Sequence, residues 1–320
     1  MKEIFIGQTI RQNRKELGLT QEELCEGLCD PSTLSRIENG KQTPSRKVAN
    51  GLLQRLGKPH DRYYAFLTAN EAKIEALQTE LDSCITRFHQ SLGEEKRQAR
   101  LDALEVLDRL EAVTEAADRI GRQYILAARA ALGGETGPYS FEVKLDMLLG
   151  AIRLTVPHFD LEALGGRLYS LEETAIISQI AGAYSDAGQH EKAAGIFGQL
   201  LTYVREHDRD VTHPSRYLSP AALNYARELC LLGCHDKALE VAELGRKTCL
   251  DYGYCRPLPG LLAVLAECRY AMGEREESRT LYCQAYYLFK ETGNASGLAY
   301  VEAEGRKRLG PAFPLPEVSG

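Results

Sequence analysis

Residues 19–41 read LTQEELCEGLCDPSTLSRIENGK, and this stretch predicts two short helices joined by a tight turn. Thr20 and Glu23 have the spacing of a capping box, in which each side chain accepts a hydrogen bond from a backbone N–H at the helix start. Asp30 is a suitable N-cap for the second helix, and Pro31 fits its first position, where a backbone N–H is not needed. The sequence therefore defines where each helix of the pair begins.

The outward face of the second helix carries small hydroxyl side chains and one arginine near its N-terminal end, because Leu34 and Ile37 point inward. Such side chains suit the major groove of DNA, where Arg can contact O6 and N7 of guanine together. The turn sets the angle at which one helix enters the groove while the other crosses the backbone. An ordinary solvated helix face is the alternative for each residue taken alone. The predicted DNA-contacting residues are Gln21, Ser32, Thr33, Ser35, Arg36 and Lys41.

The strings TQEEL and SRIENGK, followed by Pro44 and Ser45 at the start of a further helix, resemble the Cro/repressor-type (XRE) helix-turn-helix family. The resemblance covers about residues 4–67 and implies a five-helix DNA-binding domain. The turn GLCDPS is about one residue shorter than in most members of that family. The resemblance further implies that DNA is contacted by Gln21, Ser32 and Arg36 and that Lys41 lies near a phosphate.

The net charge of -6 is distributed unevenly along the chain. Residues 1–58 contain ten Lys and Arg against seven Asp and Glu, a net charge of +3, whereas the remaining 262 residues carry -9. A local basic excess is typical of a surface that binds phosphates. The charge distribution therefore favours nucleic-acid binding by the N-terminal segment.

Neither a membrane span nor a secretory signal is predicted. No run of about 18 apolar residues occurs, and the N-terminus becomes charged too early for a signal peptide, so a cytoplasmic location is expected. The nine cysteines lie mostly inside apolar helical patterns, without a CxxC pair or a His at ligand spacing. They are expected to be reduced, buried thiols, and neither a metal site nor a cofactor is predicted.

Helical periodicity continues to about residue 309 and predicts an all-α protein. Three stretches, 174–201, 219–245 and 259–285, each pair two helices across a glycine, and the turn glycines are 45 and 40 residues apart. The pattern resembles the tetratricopeptide repeat (TPR), although its spacing exceeds the about 34 residues of that family. The expected domains are a five-helix helix-turn-helix domain (1–68), a TPR-like right-handed α-superhelix for ligand binding and dimerisation (69–310) and a flexible tail (311–320).

If the TPR resemblance holds, the first helix of each repeat lines a concave groove. Asn and Gln side chains there can pair with the backbone of an extended peptide, since an amide supplies a donor and an acceptor together. Bonds to neighbouring helices, or exposure to water, are the alternatives for each residue. The predicted peptide-binding residues are Gln179, Asn224, Arg227, Glu267 and Tyr270.

Motifs of catalysis are lacking, so an enzyme is not expected, and acidic runs such as Glu172–Glu173 indicate helix starts and solvated faces. An XRE domain before a TPR-like array is similar to the RRNPP group of quorum-sensing regulators. That resemblance implies a homodimeric transcription regulator that binds a palindromic operator in double-stranded DNA and responds to a short signalling peptide. The alternative is a TPR-type interaction or sequestering protein with an accessory DNA-binding head.

Overall fold

The computed structural model describes residues 6–57, 69–134, 136–207 and 215–314. Within these ranges the chain contains fifteen α-helices and no strand, only one isolated β-bridge, so the all-α prediction is confirmed. Among the described helices, none combines the length and the hydropathy that a membrane span requires. The helices are α1 (Ile6–Glu16), α2 (Gln21–Cys25), α3 (Pro31–Glu38), α4 (Arg46–Arg55), α5 (Ala69–Gln90), α6 (Gly93–Val113), α7 (Arg119–Leu132), α8 (Phe141–Thr155), α9 (Leu171–Asp186), α10 (His190–His207), α11 (Ser215–Leu231), α12 (His235–Tyr252), α13 (Leu258–Ala271), α14 (Arg275–Glu291) and α15 (Ala295–Leu309).

Helices α1 to α4 form a helix-turn-helix head, defined here as residues 6–57. Its apolar core includes Ile10, Leu34 and Leu52, whose side chains are fully buried. Thr20 and the Glu23 carboxylate form the predicted capping box at the start of α2. Packing around one small core therefore fixes the angle between α2 and α3.

The start of α3 differs in one detail from the prediction. Pro31 is its first residue and Asp30 its N-cap, but the Asp30 side chain makes no capping hydrogen bond. The Asp30 backbone carbonyl instead accepts hydrogen bonds from the N–H groups of Thr33 and Leu34, at 2.9 and 3.0 Å. The fifth helix, expected from about residue 59, lies outside the described residues.

Two compact units make up the chain, residues 1–82 with 103–183 and residues 83–102 with 184–320. The first unit holds the head, the helix pair α7 and α8, and most of α9. Ser170 and Glu173 form a capping box there, with the Ser170 N–H donating to the Glu173 carboxylate at 2.6 Å. Glu173 is fully buried, so the expectation of a solvated face is wrong for this residue.

The second unit is built from consecutive helix pairs, and the predicted TPR-like array is confirmed. Gly188, Gly233 and Gly273 occupy the turns that follow α9, α11 and α13, with φ of 75°, 74° and 85°. Glycine suits these turns because other residues rarely adopt a left-handed backbone. Fully buried small residues such as Ala226 and Ala266 let neighbouring helices approach closely.

The chain after α15 folds back onto the second unit. Phe313 is 1% exposed, and its ring lies 6.0 Å from that of Tyr282 in an edge-on arrangement. A side chain at Gly305 would overlap the Phe313 ring. The first residues of the segment expected as a tail therefore pack on the last helices, whereas residues 315–320 lie outside the described part.

Candidate DNA-binding and ligand-binding surfaces

Helix α3 presents its polar side chains away from the core of the head. Leu34 and Ile37 are buried, which turns the opposite side of the helix outward. Arg36 is exposed and lies in the last turn of this eight-residue helix, not near its N-terminal end as expected from the sequence. Lys41 is exposed just beyond the helix. Of the remaining predicted α3 residues, Ser32 is exposed, and Thr33 and Ser35 are half-buried.

Gln21 is held against α3 by Glu38, which is 2% exposed. The Gln21 amide donates to Glu38 Oε2 at 2.8 Å, while Arg14 donates to both Glu38 oxygens at 2.6 and 2.9 Å. Burial favours a higher pKa for Glu38, but the hydrogen bonds from Arg14 and Gln21 outweigh it and lower the pKa below its usual value. This network fixes the orientation of Gln21 beside α3.

Two further cations lie beside the C-terminal end of α3. Arg11 donates to Asn39 Oδ1 at 3.1 Å, and the Asn39 amide donates to the Ser35 carbonyl at 2.7 Å. Lys15 is exposed one turn further along α1. Neither cation is among the DNA-contacting residues predicted from the sequence. Arginine and lysine at this edge can bind phosphates, which would set the position of α3 without reading bases.

The turn between α2 and α3 packs against the end of α8 within the first unit. Gly27 has φ of 73°, and a side chain there would overlap the carbonyl of Thr155. Only glycine combines this backbone conformation with such a close approach. The short turn of the helix-turn-helix is therefore a docking contact as well as a connection.

Arg55, at the end of α4, bridges this turn to the start of α9. Its guanidinium donates to the carbonyls of Leu24 and Glu26 at 3.1 and 2.7 Å and to the Glu173 carboxylate at 2.9 Å. The Thr155 hydroxyl donates to the same carboxylate oxygen at 2.6 Å. The side chains of Arg55 and Glu173 are only 2% and 0% exposed, so the pair is excluded from water.

Two further ion pairs surround this docking contact. Arg167 donates to Glu26 at 2.5 Å, and Lys47 is paired with Asp118. The sequence marks none of these pairings, because the two partners of each pair are more than 70 positions apart in the chain. The one local signal is the glycine in the turn, since glycine is the residue that most readily adopts a positive φ.

Among the predicted peptide-binding residues, Gln179 stands in the first unit. Its amide oxygen is buried and has no hydrogen-bond partner among the described residues. A buried acceptor without a partner is costly, and such groups are rare in folded proteins. A ligand N–H is one chemical group that can satisfy it.

In the second unit, Glu267 lies in a cluster of polar and charged side chains. The Tyr300 hydroxyl donates to Glu267 Oε1 at 2.5 Å, and the Arg308 guanidinium lies 3.8 Å from Oε2. Burial of the phenol, together with the Glu267 charge, raises the pKa of Tyr300, while the nearby Arg227 opposes the shift. The predicted residue Glu267 thus contacts Tyr300, and the predicted residue Arg227 acts on it electrostatically. Tyr300 itself is not among the residues predicted from the sequence.

The last two predicted residues are engaged differently. Asn224 is half-buried on α11. Tyr270 is half-buried, and the Arg275 guanidinium lies 5.8 Å from the centre of its ring. An arginine at that distance gains from the electron-rich ring face. Tyr270 therefore supports the start of α14, and Asn224 and Tyr270 remain predictions as ligand contacts.

Comparison with known proteins identifies the N-terminal head as a helix-turn-helix domain. The helix-turn-helix family profile matches residues 10–63. An uncharacterized HTH-type transcriptional regulator of Methanothermobacter thermautotrophicus is 40% identical over 65 residues, which are 20% of this chain and 94% of that protein. The chain belongs to the helix-turn-helix family. Membership of this family of transcriptional regulators confirms the resemblance drawn from TQEEL and SRIENGK.

Solved structures extend the likeness to the whole fold. PlcR of Bacillus thuringiensis in complex with the peptide PapR7 and DNA has a TM-score of 0.57 and 19% identity, covering 93% of this chain and 98% of that chain. ComR of Streptococcus vestibularis in complex with its signalling peptide XIP has a TM-score of 0.52 and 16% identity, covering 95% and 98%. This member of the helix-turn-helix family therefore shares their fold, a helix-turn-helix followed by TPR-like helices.

Proposed function

We propose that this protein is a sequence-specific transcription regulator that reads DNA with α3. The observation that carries the proposal is the exposed polar side of α3, with Arg36 in its last turn and Lys41 just beyond it. In this proposal Arg36 contacts a base edge, while Lys41, Arg11 and Lys15 supply cations for phosphates. Gln21, held by Glu38, completes this surface at the start of α2.

The active form in this proposal is a homodimer in the cytoplasm that binds a palindromic operator. One head offers an eight-residue helix to the groove, and such a small contact selects a site weakly. Two heads related by a twofold axis match two half-sites one helical turn apart, or a multiple of it. The division into a DNA-binding domain (1–68), a TPR-like domain (69–310) and a tail (311–320) is part of this proposal.

A short peptide bound by the TPR-like helices is the proposed signal. Within the second unit, the polar group formed by Glu267 and Tyr300, with Arg227 acting on Tyr300, supports it. The buried, unpartnered amide oxygen of Gln179 is a separate supporting feature of the first unit, taken by itself. The shared fold with PlcR and ComR, whose structures hold peptides, supports the same ligand class. The peptide acts only if it binds one arrangement of the dimer more tightly than the other.

Selection of binding sites from a random DNA pool, followed by electrophoretic shift assays at several salt concentrations, tests the DNA reading. Arg36→Ala is expected to weaken binding to the selected site by at least about 30-fold, because each of the two heads loses a bidentate base contact worth about 1–3 kcal/mol. The charge-matched control is Arg97→Ala on α6, which removes an exposed arginine outside the head and leaves affinity unchanged.

Selective DNA binding that survives Arg36→Ala unchanged would contradict the role given to α3. Absence of any selected site, together with one stoichiometric protein partner in a pull-down, would instead favour the interaction-protein alternative.

A further inference from the structure

Three metal-ligating side chains meet in the second unit, where α11 ends, α12 begins and α13 passes. Cys230 is the penultimate residue of α11, His235 is the first residue of α12, and Cys268 lies on α13. One ligand atom from each lies within 4.8 Å of the other two, and the two Sγ atoms are 3.3 Å apart. Across the described ranges, no second group of three His, Cys, Asp or Glu side chains meets this condition.

The distances suit a tetrahedral ion better than a disulfide. Bonds of about 2.3 Å to sulfur and about 2.1 Å to nitrogen place tetrahedral ligand atoms about 3.5 to 3.8 Å apart. The sulfurs of Cys230 and Cys268 need to separate by only about 0.5 Å to reach that geometry. A disulfide would instead require them to approach to about 2.05 Å.

The imidazole of His235 also indicates a bound ligand. Its Nδ1 atom is buried and has no hydrogen-bond partner in the part of the chain that the structure describes. Leaving a ring nitrogen buried and unpaired costs free energy, so such atoms normally have a partner. A metal ion beside two sulfur ligands is a partner that fits both the nitrogen and its surroundings.

We propose that Cys230, His235 and Cys268 bind one zinc ion, with water in the fourth position. Binding releases two thiol protons, and the imidazole donates a lone pair to the ion. Two sulfurs and one nitrogen favour zinc over magnesium or calcium, and three protein ligands leave one position open. The proposal departs from the expectation of no metal, which rested on local spacing alone; the ligands come together only because α13 packs beside α11.

The zinc site ties the helix pair α11 and α12 to the following pair. Glu267 directly precedes Cys268, and Arg227 lies three residues before Cys230. The ion thereby fixes the two helix segments that carry the polar cluster around Tyr300. Its existence does not depend on DNA binding, so the two proposals stand or fall separately.

Zinc content of the full-length protein tests the site. The protein is produced with zinc in the medium, purified in a phosphine reductant without chelator, and analysed by mass spectrometry of the metal. Wild type is expected to hold about one zinc per chain, and Cys230→Ser and His235→Gln about tenfold less. Cys255→Ser, which alters an exposed cysteine of the same unit, is the matched control and keeps the metal.

Cobalt(II) substitution provides a second measurement that a folding defect does not imitate. Wild type is expected to show a thiolate-to-cobalt charge-transfer band of two-sulfur intensity, and Cys230→Ser about half of it, with unchanged helical circular dichroism. Three results would overturn the proposal: wild type free of zinc, zinc retained equally by all variants, or a Cys230–Cys268 disulfide in its place.

Discussion

The two sides of the helix-turn-helix differ in what covers them. On the α3 side, Ser32 and Arg36 are exposed, and the bonds that hold the surface stay within the head. On the turn side, Gly27 touches α8, and Arg55 reaches Glu173 at the start of α9 with neither side chain open to water. One side can exchange water for another molecule, whereas the other is already occupied by the protein's own chain.

This difference assigns separate roles to two similar ion pairs. Arg14 and Glu38 connect α1 with α3 and define the shape of the head itself. Arg55 and Glu173 join the head to the helices that follow in the same unit. Buried ion pairs contribute little net stability compared with apolar packing, but breaking one is costly. We infer that Arg55 fixes one orientation of the head on α8 and α9, so a shift of these helices would move α3.

The largest effect is expected from Arg55→Ala. The substitution leaves the Glu173 carboxylate buried without its cation, which is expected to lower the free energy of unfolding by roughly 3–5 kcal/mol. Urea denaturation followed by circular dichroism measures the change. Arg109→Ala removes an arginine whose pair with Glu80 is exposed, and it is expected to cost at most about 1 kcal/mol.

Removing both the Arg55 and the Glu173 charge shows whether the loss of stability comes from an unpaired buried charge or from the lost contact. The double variant Arg55→Met with Glu173→Leu is expected to recover most of the loss, because no buried charge remains unpaired. If Arg55→Ala and Arg109→Ala cost the same, the buried pair does not hold the head as described.

The sequence predicted the α3 side much better than the turn side. Thr20, Glu23, Pro31 and Gly40 act through their own or nearby backbone, so their spacing predicts the head directly. For Glu173 the helix start was predicted correctly, because that role depends on nearby residues. Its burial was not predicted, because its partner Arg55 is 118 residues away.

The same limit applies to the second unit. The turn glycines predicted the TPR-like pairs, but Cys230, His235 and Cys268 converge only through helix packing. Tyr300 was also missed, because it contacts Glu267 from a helix 33 residues later in the chain. When two partners lie on helices far apart in the chain, the helical periodicity of the sequence does not reveal their contact.

A smaller effect is expected from Gly27→Ala, compared with Gly18→Ala. Both glycines have nearly the same positive φ, 73° and 69°, so both substitutions carry a similar backbone cost. Only at Gly27 does the new methyl group meet another chain segment, the Thr155 carbonyl, whereas nothing lies within 4 Å at Gly18. Gly27→Ala is therefore expected to be less stable than Gly18→Ala by roughly 1–3 kcal/mol, measured by urea denaturation. Equal losses would show that the turn does not press on α8.

The smallest effect concerns the pair inside the head and its dependence on pH. Arg14 and Gln21 lower the folded-state pKa of Glu38 despite its burial, so the ionised carboxylate stabilises the folded state above the unfolded pKa of about 4.3. This contribution is lost as the pH falls through the lower, folded-state value. The stability difference between wild type and Glu38→Gln is therefore expected to be constant near neutral pH and to shrink below about pH 4. Denaturation of both proteins at several pH values measures it, with the titration of all other carboxylates cancelling in the difference. A difference that stays constant into the acid range would show that the Arg14 pair does not stabilise the α3 side through the Glu38 charge.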